Sequence, residues 1–180
     1  MQPSADALPA GAADIAAGFR TLDQRLQDSV GHRLFTVLVL NWGADQNQRC
    51  YTSRPDAYPL SSPKPFDRNG LVFKHTVEMG RPLISPDREA CRKAFFDHDL
   101  IASLGCESAV NVPVVWDGQV LGTLNLLHQA GWYREDMLPV LAEHTAWAAP
   151  LVRQFIAAWP DSTVLSEPQS PQGLQQGNRP

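Results

Sequence analysis

The chain has 180 residues, 43% apolar and 19% charged, with 15 Lys+Arg against 19 Asp+Glu for a net charge of −4. That length fits one domain of the usual ~100–200 residues with apolar content enough for a core, and it excludes global disorder. A weakly acidic chain without a basic run excludes a dedicated nucleic-acid binder, and the longest apolar stretch, residues 34–40, is far short of the ~20 residues of a membrane-spanning helix. The start of the chain, Met1-Gln2-Pro3-Ser4-Ala5-Asp6, has neither the positive nor the apolar region of a secretory signal. Cys50, Cys91 and Cys106 form no C-x-x-C pair and leave one over, so they read as reduced thiols of a cytoplasmic protein.

Residues 1–12 are small, polar or proline and are expected to be frayed. From Asp14 the apolar residues Ile15, Phe19, Leu22, Leu26 and Val30 recur at helical spacing, and Gly31 ends the stripe. Residues 35–40 form a short β-rich run, read as a strand buried on both faces; residues 43–47 supply a turn into a second strand, 49–53. Pro55, Pro59, Pro63 and Pro65 predict an irregular connector over the sheet edge, in which Ser61-Ser62-Pro63-Lys64 could close a pocket, although Lys64 reads better as part of a solvated connector. A helix capped by Asp67 or Asn69 should run to Met79 and stop at Gly80. A brief strand, 82–85, and two short helices, 87–96 and 97–105, follow. Residues 108–116 and 120–128 flank Asp117-Gly118 and read as a hairpin. A last helix should cover 132–158, with Pro139 in its first turn and Pro150 expected to kink or end it; 160–180 turns to Pro, Gln, Ser and Gly and is expected to be a disordered tail. The domain is thus placed at 13–159. The order of elements predicts an α+β fold, a central antiparallel sheet with helices on both sides.

Four stretches resemble the GAF domain family. Residues 70–84, Gly70-Leu71-Val72-Phe73-Lys74-His75-Thr76-Val77-Glu78-Met79-Gly80-Arg81-Pro82-Leu83-Ile84, resemble its helix ending in glycine before a short strand. Leu104-Gly105-Cys106-Glu107-Ser108-Ala109-Val110-Asn111-Val112-Pro113-Val114 resembles its G-x-x-S-x-x-x-x-P strand, Val120-Leu121-Gly122-Thr123-Leu124-Asn125-Leu126 its following strand, and Trp132-Tyr133-Arg134-Glu135-Asp136 with Leu138 and Leu141 the start of its last helix. The resemblance covers 15–159. It implies a sheet with helices on one face and a ligand pocket under loops on the other, in a family whose members bind cyclic nucleotides, bilins, haem, amino acids or other metabolites and sense them for an output domain. The length leaves no room for such a domain, so output is expected through a partner chain, with the terminal helices forming a homodimer. The cyclic-nucleotide signature and a bilin-attachment cysteine are not recognisable, and no cofactor is named. Free methionine-(R)-sulfoxide reductases share the fold and use cysteines around the pocket, but Cys91 and Cys106 do not resemble that arrangement.

The hairpin carries the sharpest site expectation. A plain two-residue Asp117-Gly118 turn would put Asn111 and Asn125 on opposite faces. A three-residue loop with a bulge at Gly118 would put both on one face with Thr123 and Pro113. Two amides in apolar strands are costly unless hydrogen-bonded, so the shared polar cavity is preferred. Asn111, Asn125, Tyr51, Ser53 and His75 are the predicted ligand-binding residues, for a small polar organic metabolite; neither a catalytic nor a metal-ligating residue is assigned. Asp97-His98-Asp99 reads as a polar helix start capped by Asp97 rather than a metal site, and Trp42 as core. The alternatives are a small hydrolase, isomerase or redox enzyme using the same cavity, which a titratable pair inside it would favour, and an adaptor with a filled pocket.

Overall fold

The computed structural model describes residues 12–162; the expected frayed segment before Ala12 and the expected tail beyond Ser162 lie outside the described residues. Helix α1 (Ala12–Ser29) buries Ile15, Phe19, Leu22 and Leu26 of the predicted stripe, and Val30, just past its end, is buried with them. The chain leaves it at Gly31, whose φ of +83° is open to glycine at little cost. Two carbonyls exposed by that exit are taken by the last third of the chain: Trp132 Nε1 donates to Val30 O at 3.0 Å and Tyr133 Oη to Gly31 O at 3.0 Å.

Six antiparallel strands form one sheet: β1 (Leu34–Asn41), β2 (Gln46–Thr52), β3 (Lys64–Pro65), β4 (Leu83–Ser85), β5 (Ser108–Trp116) and β6 (Gln119–His128), in the order β3-β2-β1-β6-β5-β4. The fold is α+β, as expected. One face is packed by α1 and by α4 (Leu138–Ser162), which follows a 3₁₀ turn at Glu135–Met137. Phe35, Val37 and Val39 of β1, Val110, Val112 and Val114 of β5, and Leu124 and Leu126 of β6 meet Leu141, Ala148, Leu151 and Val152 of α4 there. Period-2 alternation sends these residues to one face and their neighbours to the other. The helices also bind each other: Arg25 lies over the Trp147 ring at 5.1 Å, and His144 Nε2 is 2.8 Å from Ser29 Oγ.

The final helix does not end at Pro150 but runs to Ser162, three residues into the segment predicted as tail. A mid-helix proline costs ~3 kcal/mol; here Ala148, Ala149, Leu151 and Val152 around it are all buried, and that burial offsets the loss.

The hairpin has the predicted shared face but by a different device. Trp116 pairs Gln119, so the loop is the two-residue Asp117-Gly118, with φ of +47° and +76°, the signs of a type I′ turn. The one-residue shift comes deeper in the ladder: Val115 pairs Val120 and Val114 pairs Gly122, which leaves Leu121 as the extra residue of a bulge. A second bulge lies on β2, where Val37 pairs Tyr51 but Leu38 pairs Arg49, leaving Cys50 between them.

The second sheet face is covered piecemeal. The expected 67–79 helix is helical from Leu71, and Phe73–Glu78 has π geometry, a widened turn that closes with Met79 N donating to Lys74 O at 3.2 Å. Helix α2 (Arg88–Ala94) is capped by Asp87, whose Oδ1 accepts from Ala90 N at 2.9 Å, and α3 (His98–Ser103) follows. Asp97 does not cap α3 through its side chain, contrary to expectation; its carboxylate is taken by Tyr58. Two separate apolar clusters result: Leu34, Tyr58, Cys91, Ile101, Cys106, Ala109 and Leu127 at one end, and Leu40, Phe73, Val77 and Val120 with Trp42 and Phe66 at the other. Trp42 is a packing residue, as predicted, with its Nε1 donating to Val120 O at 2.7 Å.

Two outcomes follow. A Cβ at Gly122 would collide with the Leu38 carbonyl oxygen of the neighbouring strand. Gly122→Ala should therefore destabilise the domain by ~1–3 kcal/mol, read as a lower urea midpoint at unchanged slope. Burial lowers the His144 pKa below its ordinary 6.5, with Arg25 adding to the shift. The folded state favours the neutral imidazole, so its contribution is complete above pH 6.5 and is lost as pH falls through the depressed folded value. Urea midpoints should drop below pH 6.5, and less steeply in His144→Gln.

Candidate functional site

Between the two clusters the sheet face is polar. Register places Thr36 opposite Asn125 and Asn125 opposite Asn111, one row across β1, β6 and β5; Thr123 lies opposite Leu38 and Pro113 in the next row. Asn111 Nδ2 donates to Asn125 Oδ1 at 2.7 Å, and Asn125 Nδ2 to Thr36 Oγ1 at 3.3 Å. The network is incomplete. Asn111 Oδ1 and Thr123 Oγ1 are buried without a hydrogen-bond partner among the described residues, Asn111 being only 1% and Thr123 0% exposed. A buried unpaired polar atom costs ~1–3 kcal/mol, and both side chains line a cavity of about 270 Å³.

The cavity is near the lower end of the ~300–1,000 Å³ usual for ligand sites. Its walls are mostly apolar: Leu38 and Leu40 of β1, Leu127 of β6, Phe73 and Val77 of the π-helical turn, and Ile101 of α3. Ser61, Lys64 and Pro65 of the proline-rich connector line the sheet-edge side. Above the floor stands Tyr58, almost buried, with Oη donating to Asp97 Oδ2 at 2.6 Å and the Arg49 guanidinium 3.8 Å from its ring centroid. Burial first, and the Asp97 hydrogen bond next, push the Tyr58 pKa well above the ordinary phenol value. At neutral pH its hydroxyl is a fixed donor.

Of the five predicted residues the fold brings Asn111 and Asn125 together at the cavity. It does not bring the other three. Tyr51 faces the helices, its ring 5.9 Å from Phe19 and 5.6 Å from Phe35, and its Oη donates to Asp23 Oδ2 at 2.6 Å. The physical reason is the Cys50 bulge: without it residues 49 and 51 would share a face, whereas here Arg49 faces the cavity and Tyr51 the core. Ser53 is spent on the β1 backbone, its Oγ accepting from Phe35 N at 2.9 Å. His75 lies outside the cavity lining with Nε2 3.0 Å from Pro82 O. Sequence reasoning missed Arg49, Tyr58 and Asp97 as lining residues. Thr36, a hydroxyl inside an apolar strand, carried the same signal as the asparagines.

Neither a cysteine nor a histidine lines the cavity among the described residues. Cys91 and Cys106 sit in the neighbouring apolar cluster, and burial pushes each thiol up to about 11, away from a thiolate at neutral pH. Burial raises the Cys50 thiol further. His98 Nδ1 is 3.2 Å from Asp99 Oδ1 on the surface, and no group of three metal-ligating side chains occurs among the described residues. No described helix is long and apolar enough to cross a membrane.

The GAF domain family model matches residues 12–149, and the chain belongs to that family. Among solved structures it is similar to the GAF domain of a two-component sensor histidine kinase from Bacillus halodurans, at 14% identity and a TM-score of 0.66 over 84% of this chain and 99% of that one. It is similar also to a GAF domain/HD domain protein from Geobacter sulfurreducens, at 15% identity and TM-score 0.63 over 78% and 93%. A third similar structure is the type II free methionine-R-sulfoxide reductase from Thermoplasma acidophilum, at 15% identity and TM-score 0.61 over 78% and 93%. At these identities the likeness shows the fold. No curated protein sequence matches.

The floor yields a stability test. Asn125→Ala removes the partner of Asn111 and should cost ~1–3 kcal/mol. Replacing both Asn111 and Asn125 by Leu should be near neutral or stabilising, because neither amide then remains buried alone. Urea denaturation of the two variants beside the parent chain reads the difference.

Proposed function

We propose that this chain is a sensory or regulatory domain that binds one small polar organic metabolite in the cavity beneath Tyr58. The observation that carries the reading is the pair of buried, unpartnered atoms, Asn111 Oδ1 and Thr123 Oγ1, in a cavity that side chains leave unfilled. Stability alone would favour leucine or valine at these sites; polar groups kept at a cost in stability mark a ligand's place. Asn111, Asn125, Thr36 and Thr123 supply hydrogen bonds, and the apolar walls supply burial. The family's sensory members support the regulatory role.

We infer further that occupancy is passed on through α1 and α4, which pack together behind the sheet, to a second copy of the chain or to a partner chain. The three unpaired cysteines support a reducing, cytoplasmic setting. Enzymatic use of the cavity is the weaker reading. A titratable pair within hydrogen-bond reach, Tyr58–Asp97, does line it, but the phenol is held protonated, and the thiols lie outside the lining in apolar surroundings. An adaptor with a filled pocket fits less well, because the cavity is open.

Native mass spectrometry of the full chain, after incubation with a small-metabolite extract and gentle desalting, tests the reading. The parent chain should carry an adduct of a few hundred daltons, and the Asn111→Leu/Thr123→Val variant should lose it while remaining folded by circular dichroism. An adduct equally retained by the variant, or a parent chain that carries none, overturns the proposal.

A further inference from the structure

Of the segments that cover the cavity, helix α3 has the least to hold it. It has six residues, of which Ile101 is the buried one. Helices shorter than ~12–15 residues are marginal in water by themselves. The side chain at its N-cap position gives no help. The Asp97 carboxylate, which could accept from the free N–H groups of the first turn, is bonded to Tyr58 instead. The α3 backbone lies beside α2, and Ile101 reaches down to a cluster with Leu34, Ala109 and Leu127 of the sheet.

The surroundings of α3 are tied more firmly. Helix α2 is capped by Asp87 and anchored by the buried Cys91. After α3, the Gly105 carbonyl accepts from Arg33 Nη1, and Glu107 N donates to His128 O at 2.8 Å. Across the cavity, the proline-rich connector is fixed to β2 at Arg49. The Arg49 guanidinium donates to Pro59 O at 2.7 Å and lies over the Tyr58 ring. Its backbone N donates to Ser61 Oγ at 3.0 Å, and its backbone O accepts from Ser61 N at 3.3 Å. Tyr58–Asp97 is the one hydrogen bond that crosses from this connector to residues 86–106 among the described residues.

Two further observations bear on what α3 does. Phe96, just before it, lines the cavity and is 89% exposed, so the cavity meets solvent beside α3. The cluster beneath, which includes Tyr58, Cys91, Ile101 and Cys106, is separate from the core under α1 and α4. A separate cluster can come apart while the main core stays intact.

We propose that α3 is a lid, latched by Tyr58 and Asp97. It opens as a unit when that bond breaks and Ile101 withdraws, pivoting between Phe96 and Gly105 while the sheet and the α1–α4 core stay folded. A guest reaches Asn111 and Thr123 through the gap. The lid's purpose rests on the reading of the cavity as a ligand site; its test needs no ligand.

The chain carries its own reporters. Cys91 and Cys106 are buried in the cluster under the lid, and Cys50 packs against the main core. The full chain is labelled with N-ethylmaleimide under native conditions and quenched at intervals, and peptide mass spectrometry reads each cysteine. Tyr58→Phe keeps the ring and removes the bond; Asp97→Ala removes it from the other side, at a side chain that caps nothing. In each variant Cys91 and Cys106 should react faster by about tenfold or more, the worth of a hydrogen bond to a charged group. Cys50 should be unchanged. The double variant should react no faster than either single one, because one bond can be lost only once. In the parent chain, urea below the unfolding transition should speed Cys91 and Cys106 less steeply than it shifts the unfolding equilibrium read by circular dichroism, since lifting α3 exposes less surface. The lid is overturned by unchanged Cys91 and Cys106 rates in both variants, by accelerations that multiply in the double variant, or by Cys50 accelerating in step with the other two. If it is overturned while native mass spectrometry shows the adduct, the cavity reading stands; if labelling goes as expected and no adduct forms, the opening stands and the ligand site falls.

Discussion

The structure turns on the parity of two strands. A β-ladder has only two faces, and one extra residue moves every side chain beyond it to the other face. Leu121 is such a residue in β6 and Cys50 in β2. The first brings Asn125 onto the face of Asn111. The second lets Arg49 face the cavity while Tyr51 packs behind it. Gly122, beside the first bulge, runs so close to Leu38 that a side chain there would meet backbone. Two local irregularities thereby collect polar groups of four strands, β2, β1, β6 and β5, on one face.

That patch explains why the two sheet faces differ. On the helical face the rows of Val, Leu and Phe are uninterrupted, and α1 and α4 close over them as one core. On the other face the row Thr36–Asn125–Asn111 interrupts the apolar surface, so the covering segments gather into two clusters on either side of it. The floor satisfies itself only in part. One amide pair and one hydroxyl contact are made, and two buried oxygens are left over. A domain stabilised by only ~5–15 kcal/mol carries such atoms at a noticeable expense.

Much of the fold was legible because it rests on periodicity. The α1 stripe, the strands and the long last helix are written in spacings of 3.6 and 2, and the GAF-like stretches fall in order along them. Asn111 and Asn125 were legible for the complementary reason, as amides in runs that otherwise demand apolar residues. What escaped is what periodicity does not encode. The shared face was expected from a bulge at the turn, whereas Asp117-Gly118 makes a plain two-residue turn and Leu121 supplies the shift. Nothing in Arg49-Cys50-Tyr51 marks Cys50 as the extra residue, so Tyr51 was placed with the wrong neighbours. Tyr58 and Asp97, 39 residues apart, meet only because the irregular connector folds over α3.

The chemistry of the lining sets what its groups can offer at neutral pH. A nucleophile or general base is useful near neutral pH only if its environment brings its pKa toward that range. Here the shifts run the other way. Burial takes the Tyr58 hydroxyl and the Cys91 and Cys106 thiols further from ionisation, and the hydrogen bond to Asp97 reinforces it for Tyr58. The groups that face the cavity are fixed donors, fixed acceptors and separated charges. Such an arrangement offers a guest fixed positions for its polar atoms.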